Sequence, residues 1–215
     1  MTREKQPLKA LLVSNGIEGL NKLYVSNDVI HYDLVEIDAN FKPDLSPYDV
    51  LIAPNGTDHV AFYRIKESVK QFLDNGGTLL CCDGWFTNWI PNNRWIMDNS
   101  KRTMDVRYRL KDDPFDVARY FNVEDLNFSN GISGWWACGY IEPAPNASVL
   151  IEDTWGRPLV VIDDSSTNGL MILTASGPAA DLSYATTDDD KAYKAISDLF
   201  GAFIHLIHQH KMLVK

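Results

Sequence analysis

Apolar positions fall in short unbroken runs, each stopped by turn-forming residues. Leu8 to Val13 ends at Ser14-Asn15-Gly16, Tyr48 to Ala53 ends at Pro54-Asn55-Gly56, and Thr78 to Cys82 ends at Asp83-Gly84. Runs of this length without polar alternation predict strands buried on both faces of a parallel sheet. Val29 to Ile37 alternates less cleanly and reads as a further strand, with a short helical stretch from Glu18 to Tyr24 before it. Between Val60 and Leu73 the apolar residues Phe62, Ile65, Val69, Phe72 and Leu73 recur at helical spacing, and Asn75-Gly76-Gly77 supplies the stop. Ser148 to Ile151, Pro158 to Ile162 and Leu170 to Thr174 predict three late strands, the last two forming a hairpin around Asp163 to Gly169. A helix from about Asp188 to His210 closes the chain, its start marked by Thr186, Thr187 and an aspartate run.

Strands separated by crossover-length connections argue for an open, mainly parallel sheet with helices on both faces, a flavodoxin-like three-layer α/β sandwich. Ligands of such sheets bind beyond the carboxyl ends of the strands. The chain reads as one domain, 1–215, with an aromatic-rich insertion over about 84–145, placed over the strand ends or one sheet edge. That insertion holds one predicted helix, starting at Asp113-Pro114, and Trp85, Trp89, Trp95, Trp135 and Trp136.

Composition narrows the partners. With 20 basic and 29 acidic side chains the formal charge is −9, a field that repels phosphate backbones, so no nucleic-acid partner is expected. No stretch approaches the run of about 18 to 20 apolar residues that a membrane span needs, and the first seven residues show no apolar signal region. No membrane partner and a cytoplasmic location are therefore expected. Three cysteines, two adjacent, build no disulfide framework.

Cys82 carries the sharpest chemical hint: a thiol at the exit of a buried strand, two residues before Gly84. A tight strand-to-helix turn would lift it into the cleft, and a following helix N-terminus would lower its pKa. The same cysteine would equally serve as a small buried hydrophobe. Trp85, directly after the turn, suits stacking on a flat ligand if one ring face is free, and otherwise fills core. No metal site is expected: His205, His208 and His210 lie near a helix end without an interleaved carboxylate. No phosphate-cradling glycine motif is present, so no cofactor is expected.

The segment Asp49-Val50-Leu51-Ile52-Ala53-Pro54-Asn55-Gly56, a helix, and then Asn75-Gly76-Gly77-Thr78-Leu79-Leu80-Cys81-Cys82-Asp83-Gly84 resembles the class I glutamine amidotransferase-like superfamily. The resemblance places Cys82 where the nucleophile stands and Asn55-Gly56 in the loop that supplies oxyanion-hole amides. Glu18 falls near the carboxylate that the intracellular protease and deglycase branch sets beside its cysteine. The histidine-bearing late strand exit of the glutaminases corresponds to Thr174-Ala175-Ser176-Gly177-Pro178, which has no histidine, leaving His59 as the remaining base to consider. Gly76-Gly77-Thr78-Leu79-Leu80 and Asn168 to Thr174 also look like pieces of the trehalose-utilisation and glycosidase-associated branch; in the trehalose-utilisation family the fourth strand usually runs into a histidine, where this chain has Cys or Asp.

Three functions follow as expectations. The first is an amidotransferase-like protein without the catalytic histidine, binding a small polar ligand such as a carbohydrate among Asn15, Asn55, Gly56, Asp83, Trp85 and Ser176. The second is a cysteine-dependent hydrolase or deglycase-like enzyme using Cys82 with Glu18 or His59. The third is a structural module, a homo-oligomer with tryptophans as interface anchors.

Overall fold

A computed structural model describes residues 6–82, 84–102, 105–127, 138–175, 179–184 and 190–213, with the side chains of residues 184 and 190–192 left aside. The first four buried runs form β1 (Leu8–Val13), β2 (Ile30–Val35), β3 (Val50–Ala53) and β4 (Thr78–Cys81), and the late ones form β8 (Ser148–Glu152), β9 (Pro158–Asp163) and β10 (Leu170–Thr174). The insertion contributes β5 (Arg94–Met97), β6 (Arg109–Leu110) and β7 (Gly139–Glu142). The helices are α1 (Leu20–Leu23), α2 (His59–Arg64), α3 (Lys66–Asp74) and α4 (Asp190–Leu213).

One eight-stranded sheet runs in the order β2-β1-β3-β4-β10-β9-β8-β6. The first five strands are mutually parallel, and β9, β8 and β6 continue the sheet in antiparallel fashion. This is the flavodoxin-like order with β10 as fifth strand. Its topological switch point lies between β1 and β3, because the chain winds away from β1 in opposite directions. Every residue of β3, β4 and β10 is buried, as continuous apolar runs require of central parallel strands. The β9–β10 hairpin forms as expected, with Ile172 opposite Ile162.

Two expected helices come out differently. The span from Val60 to Leu73 divides at Ile65, whose φ of −107° and ψ of 14° leave the helical region. The break separates the apolar stripe of α3 (Val69, Phe72, Leu73) from the buried Ala61 and Phe62 of α2. At Asp113-Pro114 no α-helix forms; Val117–Arg119 makes one 3-10 turn. The Asp113 carboxylate accepts from Val117 N and Ala118 N, and Asp116 sits in the left-handed region at φ 55°, which interrupts any helical continuation. The insertion also does more than cover strand ends: β6 pairs with β8 as the outermost strand, while β5 and β7 make a separate two-stranded sheet.

Buried Asp163 fastens the insertion to the hairpin. It accepts from Asn93 Nδ2 at 2.7 Å, from the backbone and hydroxyl of Ser165, and from those of Ser166. Burial pushes its carboxyl up, but the bonds from Ser166, Asn93 and Ser165 outweigh burial and hold it below the ordinary carboxylate range. A depressed folded pKa gives stabilisation that is present above the unfolded value and lost as pH falls through the folded one. Wild-type urea midpoints followed from about pH 6 to about pH 2 should therefore fall more steeply than those of Asp163→Asn. Parallel curves would remove Asp163 from the acid response.

Candidate functional site

The exits of β1, β3, β4 and β10 meet at one end of the sheet. At the switch point Asn15 Nδ2 donates to Asn55 O at 2.9 Å, so this side chain ties the two loops together. Asn15 also accepts from Ile17 N through Oδ1, and Gly16 at φ 80° completes the turn. The β3 loop is stiffened by Thr57, whose hydroxyl donates to Pro54 O at 2.5 Å.

Beneath these loops lies a residue that sequence reasoning missed. Asp181 is fully buried, and its carboxylate accepts from Asn55 N at 2.6 Å, Tyr24 Oη at 2.8 Å and Ser183 N at 2.9 Å. It thereby joins the β3 loop, the end of α1 and the segment after β10. Ala180, directly before it, is held at φ 63°, a conformation an alanine adopts only when its surroundings impose it. Burial pushes the Asp181 carboxyl above the usual carboxylate range, outweighing the donors from Asn55, Ser183 and Tyr24 that favour its ionised form. The Tyr24 phenol is likewise raised, by burial first and then by the neighbouring charge of Asp181. The sequence hint for Asp181 was slight: a lone acid after the small-residue turn that follows β10.

Cys82 is fully buried, and its N–H donates to Ala53 O, prolonging the β3–β4 pairing by one residue. Among the described non-glycine residues the left-handed region holds Asn92, Asp116 and Ala180, not Cys82. No helix follows β4; residues 84–93 run through bends into β5. Gly84 is nonetheless required, because a Cβ there would lie 2.2 Å from the Trp95 indole.

His59 is buried at the start of α2, not solvated. Its Nδ1 accepts from Trp89 Nε1 at 3.1 Å, and the two rings stack at 6.0 Å. The lone pair a general base would use is therefore committed to an indole. Glu18 is exposed in the turn after β1, whereas Cys82 is fully buried. Asp83 and Ser176, and with them Trp135 and Trp136, lie outside the described residues.

The aromatic expectation is corrected at the turn itself. Trp85 is 2% exposed and offers no free face, whereas Phe86, its neighbour, is 70% exposed. The Phe86 ring packs edge-on against Trp95 at 4.9 Å and lies 6.4 Å from His59, leaving a face to solvent. Trp89 is buried, stacked on Phe62 at 4.4 Å. The indole N–H groups of Trp85 and Trp95 are buried and meet no acceptor among the described residues.

Among the described residues no group of three or more histidine, cysteine, aspartate or glutamate side chains could hold a metal ion, and no helix is long and apolar enough to cross a membrane. No family model and no curated protein matches this chain. Solved structures do. A glutamine amidotransferase from Thermotoga maritima superposes with a TM-score of 0.58 at 8% identity, over 96% of this chain and 99% of that one. A glutamine amidotransferase from Methylobacillus flagellatus superposes with a TM-score of 0.53 at 7% identity, over 97% and 95%. Sharing nearly the full length of both proteins at such low identity, the chain carries the class I glutamine amidotransferase-like fold.

Proposed function

We propose that this chain is a non-catalytic protein of amidotransferase-like fold that binds a small polar ligand, of carbohydrate type, at the carboxyl ends of its strands. One observation carries the non-catalytic part: the Asn55 amide, at the position that the resemblance assigns to the oxyanion hole, donates to the buried Asp181 carboxylate. An oxyanion forming there would meet one of the loop's amides already engaged, with a carboxylate behind it, which weakens the term that usually contributes most to acyl transfer. The buried thiol and the histidine committed to Trp89 act in the same direction.

Ligand binding is supported by the surface above this network. Phe86 offers an aromatic face, Asn15 is half-buried at the switch point, and Gly56 is exposed beside it. Flat stacking plus a few fixed polar groups is how sugar rings are held.

Two measurements test the proposal. Native protein treated with iodoacetamide should be modified at exposed Cys138 and spared at Cys81 and Cys82; selective labelling of Cys82 with a midpoint well below the ~8.5 of a free thiol would restore the cysteine-enzyme reading. Titration with a panel of mono- and disaccharides should give saturable binding that Phe86→Ala weakens at least tenfold. Binding left unchanged by that substitution would move the ligand elsewhere.

A further inference from the structure

We propose that β2 is an assembly edge, pairing antiparallel with β2 of a second copy of this chain about a two-fold axis at Leu34. β2 is the outermost strand of the sheet on the parallel side. Leu8 N donates to Val29 O and Ser14 N to Val35 O, so the odd-numbered residues of this strand turn their backbone groups toward β1. The even-numbered residues turn theirs outward. The start of this outward edge is already covered: Ile30 exchanges bonds with Asn27, and Tyr32 N donates to Ser26 Oγ. Among the described residues nothing covers Tyr32 O, Leu34 N, Leu34 O or Glu36 N. A bare edge of this kind is a template for another strand.

The uncovered set is self-complementary. In an antiparallel pair with Leu34 facing its own copy, the two Leu34 residues exchange both N–H···O bonds, and each Glu36 N–H reaches the Tyr32 carbonyl opposite. The Ser26 cap on Tyr32 N ends the pairing at that point, which sets its register. Leu34 is 41% exposed, and the pairing buries it against its counterpart.

Side chains agree with that register. A cavity of about 490 Å³ between β2 and α4 is lined by Ile30, Tyr32, Phe200, Ile204, His205 and His208. Residues directly opposite in an antiparallel pair share a face, so the second copy would bring Glu36 to the side of the sheet that carries these histidines. A carboxylate from each copy thus comes to the face on which His205 bonds the Tyr120 hydroxyl and His208 the Val29 carbonyl. The charge of −9 on each copy opposes approach, but at physiological salt the field is screened within about 8 Å.

Sedimentation of the full chain over a concentration series at physiological salt tests this. A monomer–dimer equilibrium is expected, and Leu34→Pro should weaken it at least tenfold, because proline removes an outward N–H and no internal bond. In a Cys138→Ser background, Leu34→Cys should form an intermolecular disulfide on treatment with diamide, since hydrogen-bonded opposite residues stand about 5.5 Å apart at Cα. That cross-link serves as the test if the proline variant fails to fold. A chain that stays monomeric throughout, a dimer indifferent to Leu34→Pro with its circular dichroism intact, or no cross-link at position 34 in a dimeric sample overturns the proposal. Sugar binding is read separately and does not enter this outcome.

Discussion

Replacing Asp181 by alanine should cost about 3 kcal/mol of stability, the scale expected when a buried carboxylate that accepts three bonds is removed and its donors are orphaned. Those donors are the Tyr24 hydroxyl and the amides of Asn55 and Ser183, drawn from three separate segments. Part of the loss is returned, because a charge that desolvation disfavours also disappears. Asp181→Asn keeps the shape and should cost less. It also reports the sign of the titration. The folded carboxyl is raised above its unfolded value, so the stability it contributes is complete below the ordinary carboxylate pKa and is lost as pH rises through the folded value. Urea unfolding of wild type and Asp181→Asn across that range should show the two curves converging as pH rises. An alanine variant as stable as wild type would mean that the clamp is ornamental, and with it the account of why the Asn55 amide is unavailable.

The second large effect is expected at Trp85. Truncation to alanine should lower stability by roughly 3 to 5 kcal/mol, the range for a large aromatic removed from a core, and leave a cavity at the β4 exit. Phe86→Ala, one residue later, should cost less than about 1 kcal/mol, since an exposed ring has little apolar area to lose. Thermal melts of the two variants, run beside the sugar titration, separate packing from binding. The proposal needs Trp85→Ala to be the unstable variant and Phe86→Ala the stable one with impaired binding. A reversal would return the ligand platform to Trp85.

Much of the frame was legible along the chain. The runs Leu8–Val13, Thr78–Cys81 and Leu170–Thr174 announced buried strands because the core contacts both faces, so the positions are apolar apart from exposed Lys9 and the end residues Thr78 and Thr174. Their turn residues marked the carboxyl end of the sheet, and there the Asn15 side chain meets Asn55 O. The break at Ile65 and the missing helix after Pro114 were not legible. Apolar spacing there fits a helix, and only the Asp113 side chain bonds and the left-handed Asp116 decide otherwise.

What the sequence by itself determined, then, is whatever repeats over a few residues: strand identity, the crossover order that makes the sheet parallel, and the absence of histidine at the β10 exit. Tertiary structure alone decided the chemistry of the site. Asp181 reaches Asn55 across 126 positions and Tyr24 across 157, and no local pattern encodes a partner so distant. The choice of Trp85 as buried and Phe86 as exposed was equally closed to sequence, because beyond Gly84 the backbone follows neither a strand nor a helical period. Trp95, on a strand of the other sheet, packs over Gly84 and meets the Phe86 ring edge-on, contacts that no local pattern encodes.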